Sequence, residues 1–174
     1  MEKLDSKTGR FTHISLSKAT ETPSENLLTK DFVTSMYEDR KGVLWAGTNL
    51  GSLNRLDSTT QTFITVYREK NETSIWDIYE DSKNNFWISS LFGGLVLFDR
   101  TNGNTKRFTE KEGLLYDAFD KITGDKNGFL WMASERGSSR MDNKNVKFSN
   151  FTTKKGLPQG SIQYAHFVTK SGEL

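Results

Sequence analysis

Three aspartates are the first candidates for chemistry in this sequence of 174 residues. Asp39, Asp81 and Asp125 recur at steps of 42 and 44 residues, and carboxylates can serve catalysis or bind calcium. The stretch Asp125-Lys-Asn-Gly128 shares letters with a calcium loop, but it lacks the ligand spacing and the terminal glutamate of such a loop. A residue that recurs at a fixed step serves the repeating unit. We therefore expect these carboxylates to cap tight turns by accepting hydrogen bonds from backbone amides.

Other catalytic and metal-binding patterns are missing from the sequence. The two histidines, His13 and His166, are isolated, and there is no cysteine, whereas a metal site needs several ligands with convergent spacing. No Gly-x-Ser-x-Gly elbow and no glycine-rich phosphate loop leading into a helix occurs. Asp117 and Asp120 form the only carboxylate pair outside the repeat that an enzyme could use. We expect no catalytic residue, no metal and no cofactor in this chain.

The charge balance excludes two classes of partner. Lysine and arginine number 24 against 22 acidic residues, for a net charge of +2, and the two signs are mixed along the chain. Neither nucleic acid nor an anionic membrane surface is indicated by this balance. No apolar run approaches the roughly 18 residues that suggest a membrane span, and residues 1–20 lack the apolar region of a signal peptide. We expect no nucleic acid partner and no direct membrane contact in this segment.

The aspartates belong to a longer internal repeat. A tryptophan follows each aspartate by six residues, a glycine follows each tryptophan by six more, and each unit closes on a hydrophobic residue and an aspartate. These positions are Trp45, Trp87 and Trp131, then Gly51, Gly93 and Gly137, then Leu56-Asp57, Phe98-Asp99 and Met141-Asp142. A period of 42 to 44 residues is typical of β-propeller blades with four strands each.

Within each unit the sequence predicts four short strands and no helix. In the second unit the β-prone runs lie at roughly 74–80, 86–90, 95–98 and 105–108. The Asp-x-x-Gly stretch forms a tight hairpin between the first two strands, with Asn84 in the glycine position of the second unit. The tryptophan falls on the second strand. We expect the three tryptophans to be equally buried between neighbouring blades.

The repeat predicts an all-β fold, a β-propeller segment of about four blades with four antiparallel strands per blade. The approximate units are 1–27, 28–70, 71–113, 114–156 and 157–174. The first unit is the tail of a blade plus a linker, since residues 3–11 mirror residues 55–63, and the last is the start of a further blade. An unclosed ring leaves strand edges and apolar faces open. We therefore expect a homo-oligomer, most simply a dimer that joins the first and last blades.

The stretch from Asp39 to Gly51 resembles the two-component regulator propeller repeat. The second and third units depart from its Gly-Thr pair, with Ser89-Ser90 and Ala133-Ser134 in that place. In this family such repeats form the extracytoplasmic sensor region of bacterial hybrid histidine kinases. The resemblance implies a periplasmic segment of a receptor anchored in the inner membrane, which senses carbohydrate fragments.

The residues that break the repeat are the candidates for ligand binding. In a propeller, the loops before the first strand and those between the second and third strands emerge together, on what we call the loop face. The Asp-x-x-Gly turns lie at the opposite end, the hairpin face. Aromatic rings can stack on a sugar while polar groups bind its hydroxyls. On this basis the predicted ligand-binding residues are Lys30, Asn49, Trp76, Phe92, Tyr116 and Arg136.

Three functions remain open on the sequence alone. A ligand-sensing segment is favoured over a protein-protein interaction scaffold by the family resemblance, and a propeller enzyme acting on carbohydrates is third. For Trp76 there is also a plainer interpretation, as ordinary core between two blades.

Overall fold

The computed structural model describes residues 31–152 and Lys154, together with the backbone of three short strands nearer the N-terminus. Twelve of the strands form three four-stranded antiparallel sheets, each built from strands that follow one another along the chain. Each sheet is one propeller blade, so the described part of the chain contains three complete blades. The only helical element described there is a 3-10 turn over Glu110–Glu112, and no helix is long and apolar enough to cross a membrane.

The strands are numbered in chain order. Before the blades come β1 (Glu2–Leu4), β2 (Phe11–His13) and β3 (Ser15–Leu16). Blade 1 contains β4 (Val33–Glu38), β5 (Leu44–Thr48), β6 (Ser52–Asp57) and β7 (Thr62–Arg68). Blade 2 contains β8 (Ile75–Glu80), β9 (Phe86–Ser90), β10 (Gly94–Phe98) and β11 (Thr105–Phe108). Blade 3 contains β12 (Lys121–Gly124), β13 (Phe129–Ser134), β14 (Gly137–Asp142) and β15 (Lys147–Phe151). The four strands predicted for the second unit are confirmed to within one residue.

The first two N-terminal strands form a hairpin. Strands β1 and β2 are antiparallel, with Leu4 opposite Phe11, just as Leu56 lies opposite Phe63 in β6 and β7. Strand β3 then pairs in parallel with β7, at the outer edge of blade 1. The predicted start of a further blade at 157–174, including His166, lies outside the described residues, as does the side chain of His13.

Each turn aspartate holds its hairpin with one carboxylate oxygen and its tryptophan with the other. Asp39 Oδ1 accepts hydrogen bonds from the backbone N–H groups of Lys41 and Val43, both at 2.9 Å, and Oδ2 accepts one from Trp45 Nε1 at 3.0 Å. The equivalent three bonds recur at Asp81 and at Asp125, with lengths of 2.8 to 3.0 Å. The predicted turn capping is thereby confirmed, and the bond to the tryptophan is an addition to it.

The residue in the glycine position of each turn has a left-handed backbone. The φ angles are +77° at Gly42, +64° at Asn84 and +82° at Gly128. Asparagine tolerates this region better than other residues with a Cβ atom, which explains why it can replace glycine in blade 2.

The hydrophobic core lies between the blades. Trp45 is 4% exposed and packs on blade 2, while Trp87 is 1% exposed and packs on blade 3. At the junction of blades 1 and 2, Trp45 packs together with Leu53, Ile75, Ile78, Phe86, Ile88, Val96 and Phe98. At the junction of blades 2 and 3 the partners are Leu95, Phe108, Leu114, Phe119, Ile122, Leu130, Met132 and Met141.

Trp131 occupies the same slot but is only half-buried. Its ring stacks on that of Phe151, with centroids 5.4 Å apart, and the Arg140 guanidinium lies 5.7 Å from its centroid. Within the described residues, no further blade covers the surface of blade 3 that bears Trp131. The prediction of three equally buried tryptophans is therefore correct for Trp45 and Trp87 and wrong for Trp131, because a blade buries the tryptophan of the blade before it.

The turn aspartates also join neighbouring blades. Arg100 reaches from the β10–β11 turn to Asp39 of blade 1, with Nη1 2.9 Å from Oδ2, and its Nη2 lies 2.6 Å from Glu80 Oε1. In blade 3, Asn143 stands at the position equivalent to Arg100 and donates from Nδ2 to Asp81 Oδ2. Each donor follows the closing aspartate of its blade and lies 61 or 62 residues beyond the carboxylate that it meets. We call this repeated contact the blade latch.

The difference in burial predicts different costs for removing two tryptophans from equivalent positions. Trp87→Ala should lower the free energy of unfolding by about 3–5 kcal/mol, as for other large aromatic deletions in a core. Trp131→Ala should cost roughly half as much, because less apolar surface is withdrawn from water there. Urea denaturation of the two variants beside the parent chain measures both values. Equal losses at the two positions would contradict this account of the core.

The hydrogen bonds to Asp81 predict an acid-dependent stability. Burial acts to raise the pKa of Asp81, but the bonds from Trp87 and Asn85 outweigh it and hold the pKa below the ordinary value of 3.8. The contribution of this carboxylate is therefore fully present above about pH 4 and is lost as the pH falls through the lower folded-state value. Asp81→Asn should destabilise the chain at neutral pH, and the gap in melting temperature to the parent should close in acid. The control is Asp120→Asn: burial raises the pKa of Asp120, so its charge costs stability at neutral pH and this substitution should not lower the melting temperature there.

Candidate functional site

Three of the six predicted ligand-binding residues meet on the loop face. Trp76 of β8, Phe92 of the β9–β10 turn and Tyr116 of the β11–β12 loop line one open depression of about 120 Å³ between blades 2 and 3. The other residues that line it are Leu91, Ala118, Phe119, Asp120, Ser134 and Glu135. We call this the aromatic depression. Trp76 is half-buried and lines the aromatic depression, and it is not part of the hydrophobic clusters between the blades.

The other three predicted residues lie elsewhere. Arg136 is adjacent to the aromatic depression, with its guanidinium 3.9 Å from the Tyr116 ring centroid and Nη1 3.5 Å from Glu110 Oε1. Asn49 lies on blade 1, where its Oδ1 accepts a hydrogen bond of 2.6 Å from the Phe32 backbone N–H. That bond fixes the chain before β4, a structural role that explains Asn49 without a ligand. Lys30 lies outside the described residues.

Phe92 stands at the mouth of the aromatic depression in an uncommon backbone conformation. Its φ is +54°, in the left-handed region that a bulky residue rarely adopts, and its side chain is 65% exposed. The ring meets that of Tyr116 edge to face, with centroids 6.4 Å apart and planes at 80°. An exposed aromatic ring held at a backbone cost is a feature of binding sites rather than of solvated turns.

An ion pair with a buried carboxylate holds the turn that carries Phe92. Arg107 donates from Nη1 to the Gly93 carbonyl and places Nη2 2.6 Å from Glu69 Oε2. The Glu69 side chain is 4% exposed, whereas that of Arg107 is 36% exposed, so only the carboxylate lies out of water. Burial, followed by the charge of Glu69, raises the pKa of the neighbouring Tyr67 to about 12. Blade 1 is thereby tied to the turn of blade 2 that presents Phe92.

The loop that carries Tyr116 and Asp120 is ordered by its own hydrogen bonds. Thr109 begins it with a capping box, in which the Thr109 backbone N–H donates to Glu112 Oε2 at 2.7 Å. Asp117 Oδ1 then accepts from the Glu110 backbone N–H at 2.6 Å, and the Asp117 carbonyl accepts from Gly94 at 2.8 Å. Because one oxygen of Asp117 is committed to this loop, Asp117 and Asp120 are not two equivalent free carboxylates.

The charge that lines the aromatic depression is negative. Asp120 forms no hydrogen bond or ion pair with any other described residue, and burial raises its pKa. Glu135 is exposed on the rim. The pKa of Tyr116 is raised, first by burial of the phenol and then by the neighbouring Glu135 carboxylate. Glu135 is not among the binding residues predicted from the sequence. Its position immediately before Arg136, in the same turn between second and third strands, was the available signal.

No metal site accompanies these carboxylates. Over residues 31–152, no group of three or more His, Asp or Glu side chains is arranged to hold a metal ion. The arrangement on the loop face is one of aromatic walls, two carboxylates and hydroxyl groups, which is suited to holding an organic ligand.

The comparison with known families bears on the strands that frame this site. Two segments, residues 27–50 and 69–92, match the family model described as two component regulator propeller. These two segments of the chain are similar to two-component regulator propeller repeats. The matched segments include the first two strands of blades 1 and 2, with both turn aspartates and tryptophans, and the second match ends at Phe92. No curated protein sequence matches the chain at a significant level.

Solved structures with this fold include extracellular domains of two proteins from B. thetaiotaomicron. The extracellular domain of a protein described as a hybrid two component system, from B. thetaiotaomicron, is 28% identical with a TM-score of 0.68. The alignment covers 81% of this chain and 20% of that one. A second extracellular domain from B. thetaiotaomicron, described as part of a one component system, is 24% identical with a TM-score of 0.67, over 80% of this chain and 21% of that one. The chain thus spans about a fifth of the length of these domains.

The same fold occurs in an enzyme. Virginiamycin B lyase from Staphylococcus aureus is 14% identical to this chain, with a TM-score of 0.63 over 87% of this chain and 47% of the lyase. At that level of identity the similarity shows a shared propeller fold alone. Function therefore has to be argued from the residues of this site.

Proposed function

We propose that this chain is an extracytoplasmic, ligand-sensing propeller segment of a two-component sensor and that it binds a carbohydrate fragment in the aromatic depression. The observation that carries the proposal is the convergence of Trp76, Phe92 and Tyr116 on one open surface. Ring faces of this kind stack on the apolar face of a sugar, and the polar groups beside them bind hydroxyls.

The setting of the site supports binding. Phe92 is held exposed by a left-handed backbone and by the Arg107 contact, and Tyr116 is held between Phe92 and Arg136. Side chains that are fixed before a ligand arrives lose little conformational freedom on binding. In a solvated loop with no binding role, nothing would offset the backbone cost of holding these rings exposed and fixed.

The proposed place of the chain is the periplasm, as part of a hybrid histidine kinase anchored in the inner membrane. Support comes from the regulator propeller repeats and from the 28% identity to an extracellular domain of a protein described as a hybrid two component system. Kinase activity would belong to other parts of such a receptor.

We propose that the chain itself does not catalyse a reaction. Asp117 and Asp120 are poorly suited to act as a catalytic pair, because Asp117 accepts a hydrogen bond from the Glu110 backbone N–H and orders its own loop. Among the described residues, the carboxylates of the repeat are occupied with turns, tryptophans and the blade latch.

The binding proposal predicts which aromatic residue matters. In a titration of oligosaccharides followed by tryptophan fluorescence, Phe92→Ala should weaken binding about fivefold to tenfold, the effect of losing one stacked ring. Phe32→Ala is the matched control, since Phe32 is 63% exposed on the same face of blade 1 and Phe92 is 65% exposed. Equal affinities for the parent and Phe92→Ala would overturn the site, as would NMR shifts confined to the Asp-x-x-Gly turns of the hairpin face.

We still predict self-association of the chain, through apolar surfaces at the two ends of the described blades. Trp131 and Phe151 are half-buried on the outer side of blade 3, and Met36 of β4 is 46% exposed at the other end of the described array. Apolar surfaces of this kind favour association of two copies. Sedimentation at micromolar concentration should show a dimer, and a stable monomer with a single cooperative melt would contradict it.

A further inference from the structure

The aromatic depression is lined by two acidic side chains and by no basic one. Of its nine lining residues, Asp120 and Glu135 are the only ones with a formal charge. Asp120 is half-buried and has no partner among the described residues. A carboxylate that is partly removed from water without a partner is costly, and a positive group on a ligand would relieve that cost.

The basic side chains nearest in the sequence are already paired with other acids. Arg136 stacks on the Tyr116 ring and pairs with Glu110 at 3.5 Å. Lys121 follows Asp120 directly, but its Nζ lies 3.9 Å from Asp77 Oδ1, and Asp77 also accepts a hydrogen bond from the Ile122 backbone. Neither of these two cations lines the depression to pair with Asp120 or Glu135, so a positive group on a ligand can do so.

The aromatic walls favour the same kind of group. Faces of tryptophan, tyrosine and phenylalanine attract a cation through their quadrupole, with tryptophan the strongest of the three. Tyr116 already holds one cation in this way, the Arg136 guanidinium at 3.9 Å. Trp76 and Phe92 carry no such contact among the described residues and remain open to a ligand.

We propose that the aromatic depression selects a saccharide that carries a free, protonated amino group over neutral, N-acetylated or acidic saccharides. In this arrangement the ammonium group lies between Asp120 and Glu135, and the sugar ring stacks against Trp76 or Phe92. The volume of about 120 Å³ is small for a ligand site and suits a single ring at the end of a chain. This inference rests on the proposed function, because it specifies the ligand class of the same site.

The test compares a cationic, a neutral and an anionic disaccharide. The probes are a glucosamine disaccharide, its N-acetylated counterpart and a galacturonic acid disaccharide, titrated into the 174-residue chain at neutral pH. We expect the amine to bind about fivefold to tenfold tighter than the N-acetylated sugar, as for one partly exposed ion pair. Its affinity should fall with added salt, while that of the neutral sugar should not.

Two matched variants separate a local effect from a general one. Asp120→Asn removes one charge that lines the aromatic depression and should bring the two affinities to within about twofold of each other. Glu72→Gln removes the same charge from an exposed residue in the loop between blades 1 and 2 that does not line the depression, and should leave the preference intact. Circular dichroism of each variant checks that the blades still form.

The possible results distinguish this inference from the proposed function. If the N-acetylated sugar binds as tightly as the amine, and Phe92→Ala weakens both, then the site binds carbohydrate and the charge preference is wrong. If no disaccharide binds, both proposals fall, because every residue that lines the depression lies between Trp76 and Glu135 within the folded chain. A preference for the amine that persists in Asp120→Asn would also overturn the assignment.

Discussion

The carboxylate at the start of each first hairpin is the constraint on which the blades depend. Asp39 takes hydrogen bonds from two backbone amides, from the Trp45 indole and from Arg100 of the next blade. A buried charge is tolerable only when its oxygens are satisfied in this way. In satisfying it, the chain closes a turn, orients the tryptophan that fills the core and sets the position of the following blade. The junction of blades 2 and 3 follows from the same contacts at Asp81, and the aromatic depression lies at that junction.

Much of the fold could be predicted from sequence because its determinants are local and repeated. The four strands of blade 2, the turn capping by aspartate and the use of Asn84 in a left-handed position all depend on residues a few positions apart. The blade latch could not be predicted in this way. Its donor is arginine in one blade and asparagine in another, and it lies more than sixty residues from its acceptor, so no pattern of residue types marks it.

The candidate site was only partly predictable for a related reason. The loops of the loop face could be identified from the propeller topology. Trp76, Phe92 and Tyr116 could be selected because aromatic residues break the repeat in those loops. Sequence alone does not show whether a polar side chain in such a loop is already committed. Asn49 accepts a hydrogen bond from the Phe32 amide, whereas Asp120 has no partner among the described residues, although both are small polar residues in loops of the loop face.

The blade latch has a consequence for how chains of this kind can change in length. Each described latch runs to the adjacent blade in the chain, so a gene duplication that copies one whole repeat supplies the new blade with both a carboxylate and a donor. A duplication out of step with the repeat would leave a buried aspartate without its partner and an apolar face without its cover. Selection would therefore remove it, and blade number is expected to evolve in whole steps while loops such as the one bearing Phe92 vary freely between them.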